Sequence, residues 1–568
     1  MSRPTVWILI AGVVAWATLD LNGDARAPQS RDVNASATPG HQGEVSIAVD
    51  RYEPDRLLAA AMDVDDGRLL TMSSVDGGQT FRRMSVPLSG VGFHADPMVA
   101  FDSEGTAYLA HIPVASGNRP AGIEIARLGR DAASWEPSIR ISGNLGKDDK
   151  VAITVDDEGE SPFRDRVYVA WKWPGGGVFS SRSMDASLSF TPPLRISDAA
   201  VSGLDLATDR NGDLYLAVYD HDIRAIVVYR SMNGGESFSP PVRVSPVLAE
   251  WFSVQPSHCV RQSLVHASVA ADRSLGSRGA IYVTWSDYAA GTRLEQCGDL
   301  CSVETSCHTD VFLSRSSNGG RSWSLPVVVH ERNLGKSDQY FSWLDVDPRD
   351  GNIYVAYKDS RIAPTRLGTD TYLNRSTDQG LSWEASIRLS SESSFARSSS
   401  FQYGDYQGLA VAGGRVYAAW SDYRPDSSGA VTSSEIFVGR ASFEPTSSGW
   451  RLERGGETLE LSFTAPAEVE QLVDVYLVFN PTGGSAPSFL TPSGTTSERV
   501  PFETFLAKRE LSFSASVPLW WIPSGTLLTA VVVPYGLDPA DPQNWLSSEL
   551  RVPGAELVGS GEGPPREE

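Results

Sequence analysis

In the stretch "QYGDYQG", residues 402–408, Tyr406 follows Asp405 directly. A phenol can attack a carbon and a carboxylate can take its proton. Groups of the same kind recur just ahead of other apolar runs: Glu44, His94 and Asp96 in "FHADP", Asp148, Asp149 and Lys150 in "GKDDK", His266 in "LVHAS", Asp338 and Gln339 in "SDQYF", and Tyr403. If these positions meet in space, crowded acids raise one another's pKa, which makes Asp96 or Asp149 a candidate acid/base and Tyr406 a candidate nucleophile. His94, Lys150, His266 and Asp405 then become candidate substrate contacts. A second group follows other apolar runs in variants of "W-S-D-Y-R": Asp220, Asp287, Asp359 with Arg361, and Asp422 with Arg424. A guanidinium holds a carboxylate in a two-pronged geometry, so Arg361 and Arg424 join the candidate substrate contacts. The bland alternative is a solvated funnel mouth, in which "GDY" is a capped turn and "W-S-D-Y-R" a salt-bridged loop.

What must position these residues is a repeat. Matching pairs of runs occur along the chain: "VSIAVD" with "RLLAAAMD", "PMVAFD" with "AYLAHIP", "VAITVD" with "VYVAWKW", "LDLATD" with "LYLAVYD", "ASVAAD" with "IYVTWSD", "FSWLDVD" with "GNIYVAYKDSR", and "GLAVAG" with "VYAAWSD". Each pair leads into a third run and then a fourth. The aromatics closing the hairpin between them are Phe81, Trp135, Phe190, Phe238, Trp323 and Trp383, at spacings of 54, 55, 48, 85 and 60 residues. Seven units of four short strands, too apolar for one-faced sheets, predict the radial blades of a β-propeller, with six blades or a linear solenoid as alternatives. The seventh unit lacks a clear fourth run. "SRDVNAS", residues 30–36, resembles the fourth-strand pieces "PVRVS", "LRIS" and "IRLS", so this segment is expected to complete the last blade and close the ring.

The hairpins carry the pattern S-x-D-x-G-x-[ST]-[WF]. It is intact at Ser74, Asp76, Gly78, Thr80, Phe81 and at Ser376, Asp378, Gly380, Ser382, Trp383. Asn replaces Asp at Asn233 and Asn318, and "SMDASLSF" keeps Asp185 without the glycine. The pattern resembles the Asp box of sialidases and related bacterial neuraminidase repeat proteins over roughly residues 30–445. The box residues have a local task, since a short side chain accepts amides of its own turn and Gly supplies positive φ. They are read as structural. The resemblance implies a sialidase-like propeller with the active site on the face opposite these hairpins, and a family chemistry of three substrate-binding arginines, a Tyr nucleophile and an Asp acid/base. Tyr406 or Tyr403 lies where the family nucleophile belongs. The family's first arginine has no counterpart in "GEVSIAVD", and no arginine triad can be assembled.

Of 568 residues, 51 are Gly and 35 Pro, and the formal charge is −22, which disfavours nucleic acid and anionic membranes as partners. Residues 1–27 read as a secretory signal, with Arg3, an apolar run from Val6 to Ala17 and small-residue cleavage candidates. The expected location is therefore secreted or periplasmic, with no membrane span in the mature chain. Cys259, Cys297, Cys301 and Cys307 are expected to form two disulfides of unassigned connectivity, the alternative being a zinc site recruiting His258 or His308. No other metal or cofactor is expected. The propeller spans 28–445, a small β-sandwich 446–555 and a disordered tail 556–568. The function classes left are a glycosidase or lyase with a non-standard site acting on an extracellular glycan or glycoprotein, a non-catalytic glycan or protein binder, and a cell-envelope structural protein.

Overall fold

The computed structural model describes residues 31–443 except for short segments within connections, the longest being 253–262 and 298–306, and beyond them strands between 449 and 553 as backbone only. The expected signal segment and the tail lie outside the described residues.

Second-strand runs such as "LYLAVYD" and "IYVAYKD" are apolar on both faces and so must be covered from both sides. They are: Leu214–Asp220 and Ile353–Asp359 are buried along their whole length. The chain folds into seven blades, each a four-stranded antiparallel sheet, with one extra short strand, Arg119–Pro120, on blade 2. The innermost strands are Gln42–Val49, Phe93–Phe101, Asp149–Val155, Val201–Thr208, Ser268–Ala271, Gln339–Val346 and Gly408–Ala412. They neighbour one another in cyclic order, the first against the last, around a central channel. Between blades lie fully buried aromatics of the second strands, among them Trp171, Trp285, Trp420, Tyr108, Tyr168, Tyr215, Tyr282 and Tyr354. Burial of a large apolar side chain is worth about 1.5–3 kcal/mol, so each of these aromatics stabilises the contact between neighbouring blades.

Ring closure uses the chain's N-terminal side. Arg31–Asn34 pairs antiparallel with Glu435–Ser442, with Arg31 opposite Arg440 and Asn34 opposite Phe437. Asp32 ties the joint to Arg424 at 2.6 Å, and Asn34 donates to Glu435 at 2.8 Å.

The repeated hairpin turns have one design. Asp378 Oδ1 accepts the amide of Ser382 at 2.9 Å and the hydroxyl of Ser376 at 2.8 Å, while the Gly380 amide donates to Ser376 Oγ at 2.9 Å. In blade 3 Ser187 stands where the glycine should be. It still adopts φ +64° and donates its amide to Ser183 Oγ at 2.8 Å, with Asp185 accepting from Ser189 at 2.9 Å, so the turn survives the substitution.

A second recurrent device caps the turn after the inner strand. Asp102 Oδ1 accepts the amides of Glu104 and Thr106, Asp209 Oδ1 those of Asn211 and Asp213, and Asp347 Oδ1 that of Arg349. The outer carboxylate oxygens of Asp102 and Asp209 receive the buried tyrosine hydroxyls of Tyr108 and Tyr215 at 2.7 and 3.0 Å.

Cys297 and Cys307 form a disulfide with Cα atoms 5.2 Å apart, stapling the connection between Ile281–Tyr288 and Thr309–Ser316 of blade 5. Cys259 and Cys301 lie outside the described residues. Beyond residue 449 two further antiparallel sheets follow, one of three strands and one of six, the latter centred on Gln471–Pro481. Among the described residues no helix is long and apolar enough to cross a membrane.

Candidate functional site

At the start of five inner strands the register slips, between Gly43 and Ser46, Ala95 and Met98, Asp149 and Val151, Ser202 and Asp205, and Tyr340 and Trp343. The first residue inside each slip has positive φ: Glu44 +53°, Asp96 +50°, Lys150 +45°, Gly203 +54° and Phe341 +52°. Such bulges re-aim a side chain, and a non-glycine residue there stores about 1–3 kcal/mol of strain. Three of the strained residues are ionisable, Glu44, Asp96 and Lys150, and they meet.

Lys150 Nζ lies 3.0 Å from Asp96 Oδ1, 2.8 Å from Asp405 Oδ2 and 3.8 Å from Glu44 Oε1. It also stands 5.4 Å from the centre of the Tyr406 ring. The His266 ring is 5.7 Å from that of Tyr406, and Trp343 closes the group at 5.1 Å from His266 and 6.1 Å from Tyr406. Glu44, Asp96, Lys150, His266, Asp405 and Tyr406 are all buried, while Trp343 is half-buried and lines the central channel. Two glycines make the approach possible. A Cβ on Gly404 would sit 2.4 Å from Glu44 Cγ, and one on Gly203 would sit 2.4 Å from the His266 Cα.

The charges are graded. Burial raises the Glu44 carboxyl well above its ordinary value; Lys150 opposes this, and Asp96 and Asp405 add to it. Burial pushes Asp96 upward as well, but Lys150 and a hydrogen bond from Glu44 hold it below the usual range. These directions favour a protonated Glu44 hydrogen-bonded to an ionised Asp96. Burial works against the Lys150 charge, yet Asp405, Asp96 and Glu44 keep the ammonium well above the ordinary lysine value. Burial, seconded by Asp96 and Glu44, keeps Tyr406 a neutral phenol, and burial followed by Lys150 lowers His266 to about 4. His266 Nδ1 donates to the Ala267 carbonyl at 3.1 Å, which leaves Nε2 as the ring's acceptor.

Asp96, Lys150, His266, Asp405 and Tyr406 thus come together from blades 2, 3, 5 and 7, with Glu44 of blade 1 as the member that sequence reasoning placed on this face but gave no role. Asp149, beside Lys150, points away and pairs with Lys172 at 3.0 Å. His94 joins His111, its Nδ1 3.3 Å from the other's. Arg361 is held by Asp359 at 2.7 Å and Glu331 at 3.1 Å, over the Tyr372 ring. Arg424 is held by Asp422 and Asp32 over the Phe437 ring. Both arginines lock blade edges, and among the described residues no arginine makes contact with the axial cluster.

Below the cluster the seven inner strands enclose a cavity of about 220 Å³. Side chains on one strand accept amides of the next: Ser46 from Val99 at 3.2 Å, Asp205 from Val269 at 2.9 Å, Ser268 from Leu344 at 3.2 Å and Asp345 from Val411 at 2.8 Å. Burial raises Asp205 to about 6 and Asp345 to about 7 despite these bonds.

The fold and the axial cluster define a seven-bladed all-β propeller with a buried ionisable centre. No protein-family model matches the chain, and no curated protein matches it. Among solved structures it is similar to a polysaccharide lyase, an ulvan lyase bound to -[GlcA(1-4)Rha3S]-, at 11% identity over 92% of this chain and 96% of that one, TM-score 0.38. It is also similar to the Hadza microbial sialidase Hz136 at 15% identity over 69% and 75%, TM-score 0.38, and to the Aleuria aurantia lectin at 11% over 62% and 99%, TM-score 0.38.

Proposed function

We propose that the protein is exported and that its propeller acts on a neutral glycan, cleaving a glycosidic bond at the axial cluster. The observation that carries this reading is the convergence of Glu44, Asp96 and Asp405 on Lys150 Nζ beside the Tyr406 ring, where burial raises the Glu44 carboxyl and Lys150 lowers that of Asp96. Glu44 is the proton donor to the departing sugar oxygen. Tyr406 adds its oxygen to the anomeric carbon, its proton passing to Asp405 or Asp96, and water then releases the sugar. Tyr406 suits this because its hydroxyl is only loosely tied, 3.5 Å from the Pro97 carbonyl. The acid groups gathered on the Lys150 ammonium favour a sugar that becomes cationic in the transition state. Trp343 offers a flat apolar wall next to the acids.

The test is a panel of neutral glycosides, uronic-acid polysaccharides and sialosides, assayed for reducing ends, unsaturated products and direct binding. Turnover of a neutral glycoside that falls at least about 100-fold in both Glu44→Gln and Tyr406→Phe supports the reading. Binding without turnover establishes a lectin-like propeller instead. Turnover of sialosides, or full activity in both variants, overturns the assignment of substrate or of site.

A further inference from the structure

Away from the axis, blade 2 gathers three groups that the mechanism leaves unused. His94 opens the inner strand, His111 lies in the second strand Ala107–Ala115, and Glu124 opens the third strand Glu124–Leu128. The register sets His111 opposite Glu124 and His94 opposite Pro113, two residues from His111, so the three side chains stand on one face as direct and diagonal neighbours. All three are buried. One ring nitrogen from each histidine and one Glu124 oxygen lie within 4.8 Å of one another.

We propose that His94, His111 and Glu124 form a binding site for a divalent metal ion of the zinc class. Two nitrogens and a carboxylate oxygen are the donor set that suits such an ion. The His94 and His111 Nδ1 atoms are 3.3 Å apart, and two metal–nitrogen bonds of about 2.0–2.1 Å meeting at a tetrahedral angle hold their nitrogens about that far apart. The outer contacts agree. His94 Nε2 reaches the Ser89 carbonyl at 3.3 Å; a carbonyl only accepts, so the proton is on Nε2 and the Nδ1 lone pair faces inward. Glu124 is steadied from outside by Arg140 at 2.9 Å and the Ser89 hydroxyl at 3.0 Å.

Protons alone require His111 to donate from Nδ1 to His94, its Nε2 then accepting from the Ser138 hydroxyl at 3.4 Å while it faces the Glu124 carboxylate 3.9 Å away. A cation held by the two Nδ1 atoms instead puts the proton on His111 Nε2, where it faces the Ser138 oxygen and the Glu124 carboxylate. A route in exists as well, since His94 lines a cavity of about 780 Å³ bounded by blade 1 residues from Asp63 to Leu70 and from Arg83 to Ser89. Solvent in that cavity can supply the remaining coordination position.

The experiment uses the full-length, untagged protein stripped with chelator and titrated with Zn²⁺ by calorimetry and with Co²⁺ by visible absorption. Expected are one Zn²⁺ per chain, a Co²⁺ spectrum of a four- or five-coordinate nitrogen–oxygen site, and at least a 10-fold weaker dissociation constant in each of His94→Gln and Glu124→Gln. The Co²⁺ spectrum is read on the wild type and does not depend on either variant folding. Absence of stoichiometric binding by the wild type, or binding unchanged in both variants, overturns the proposal in favour of the proton-only pair.

Discussion

Replacing Glu44 by Gln separates the charge assignment at the axis from a generic loss of a buried acid. In the folded chain Glu44 is 3% exposed, its pKa lies well above the ordinary 4.5, and its proton is directed at Asp96. Glutamine has the shape of the protonated acid and donates in the same direction. A group whose folded pKa is raised contributes stability that is complete below its unfolded pKa, near 4.5, and declines as pH rises through the folded value. The wild type should therefore lose up to about 1.4 kcal/mol per pH unit above that point through this one site, and Glu44→Gln should not. Near pH 4.5 the two proteins should be within about 1 kcal/mol of each other, and by pH 7–8 the variant should be the more stable. Denaturant midpoints followed by tryptophan fluorescence at pH 4.5, 6, 7 and 8 measure this directly. A wild-type-minus-variant difference that stays constant with pH would refute the claim that Glu44 holds the proton.

Asp96→Asn removes a partner of buried Lys150 and should cost about 3–5 kcal/mol at pH 7, opposite in sign to Glu44→Gln there, by the same midpoint measurement. Asp378→Ala deletes the turn acceptor of Ser382 and Ser376 and should cost about 1–3 kcal/mol while leaving any glycan binding unchanged; a wild-type melt with lost binding would contradict the structural reading of these hairpins. Asp345→Asn keeps an acceptor for the Val411 amide and removes a carboxyl that titrates near 7, so it should gain on the wild type as pH rises from 6 to 8, which thermal melts across that range would show.

The propeller was legible because its information is local and repeated. Each blade announces itself by two apolar runs and a turn, and the "SRDVNAS" segment matched fourth strands elsewhere well enough to foretell the pairing of Arg31–Asn34 with Glu435–Ser442. The axial site was legible only as a list of candidates, since its members stretch from Glu44 to Tyr406 and nothing in a linear chain states which of them touch. The bulges are the physical reason for the confusions. His94 and Asp96 are two apart and in a regular strand would share a face, but the slip at Asp96 sends His94 to His111 and Asp96 to the axis. The adjacent Asp149 and Lys150 differ in the same way, and a one-residue change of register exchanges which of them is inside. Positive φ at glutamate, aspartate and lysine gives no compositional signal of the kind glycine gives. The capping aspartates after the inner strands were present in every quoted "VD", "FD" or "TD", yet their role emerges only once their oxygens are seen on the turn amides.

The distribution of favourable and unfavourable terms along the axis bears on what the cluster is. Further along the channel the inner strands are joined by Ser46, Asp205 and Asp345 accepting the next strand's amides, and the blade interfaces are filled by tryptophan and tyrosine. The opposite end buries an ammonium and three carboxyl groups, each at a desolvation cost of several kcal/mol, on backbone that is strained at three of the four residues. Apolar residues of similar volume would hold the same strands together at lower cost, as Ile47 and Val99 do a few residues further along. Stability therefore supplies no reason for the charges to be there. The proposed proton transfer would supply one, because burial holds the Glu44 carboxyl up while Lys150, 3.0 Å from Asp96, holds that carboxylate down.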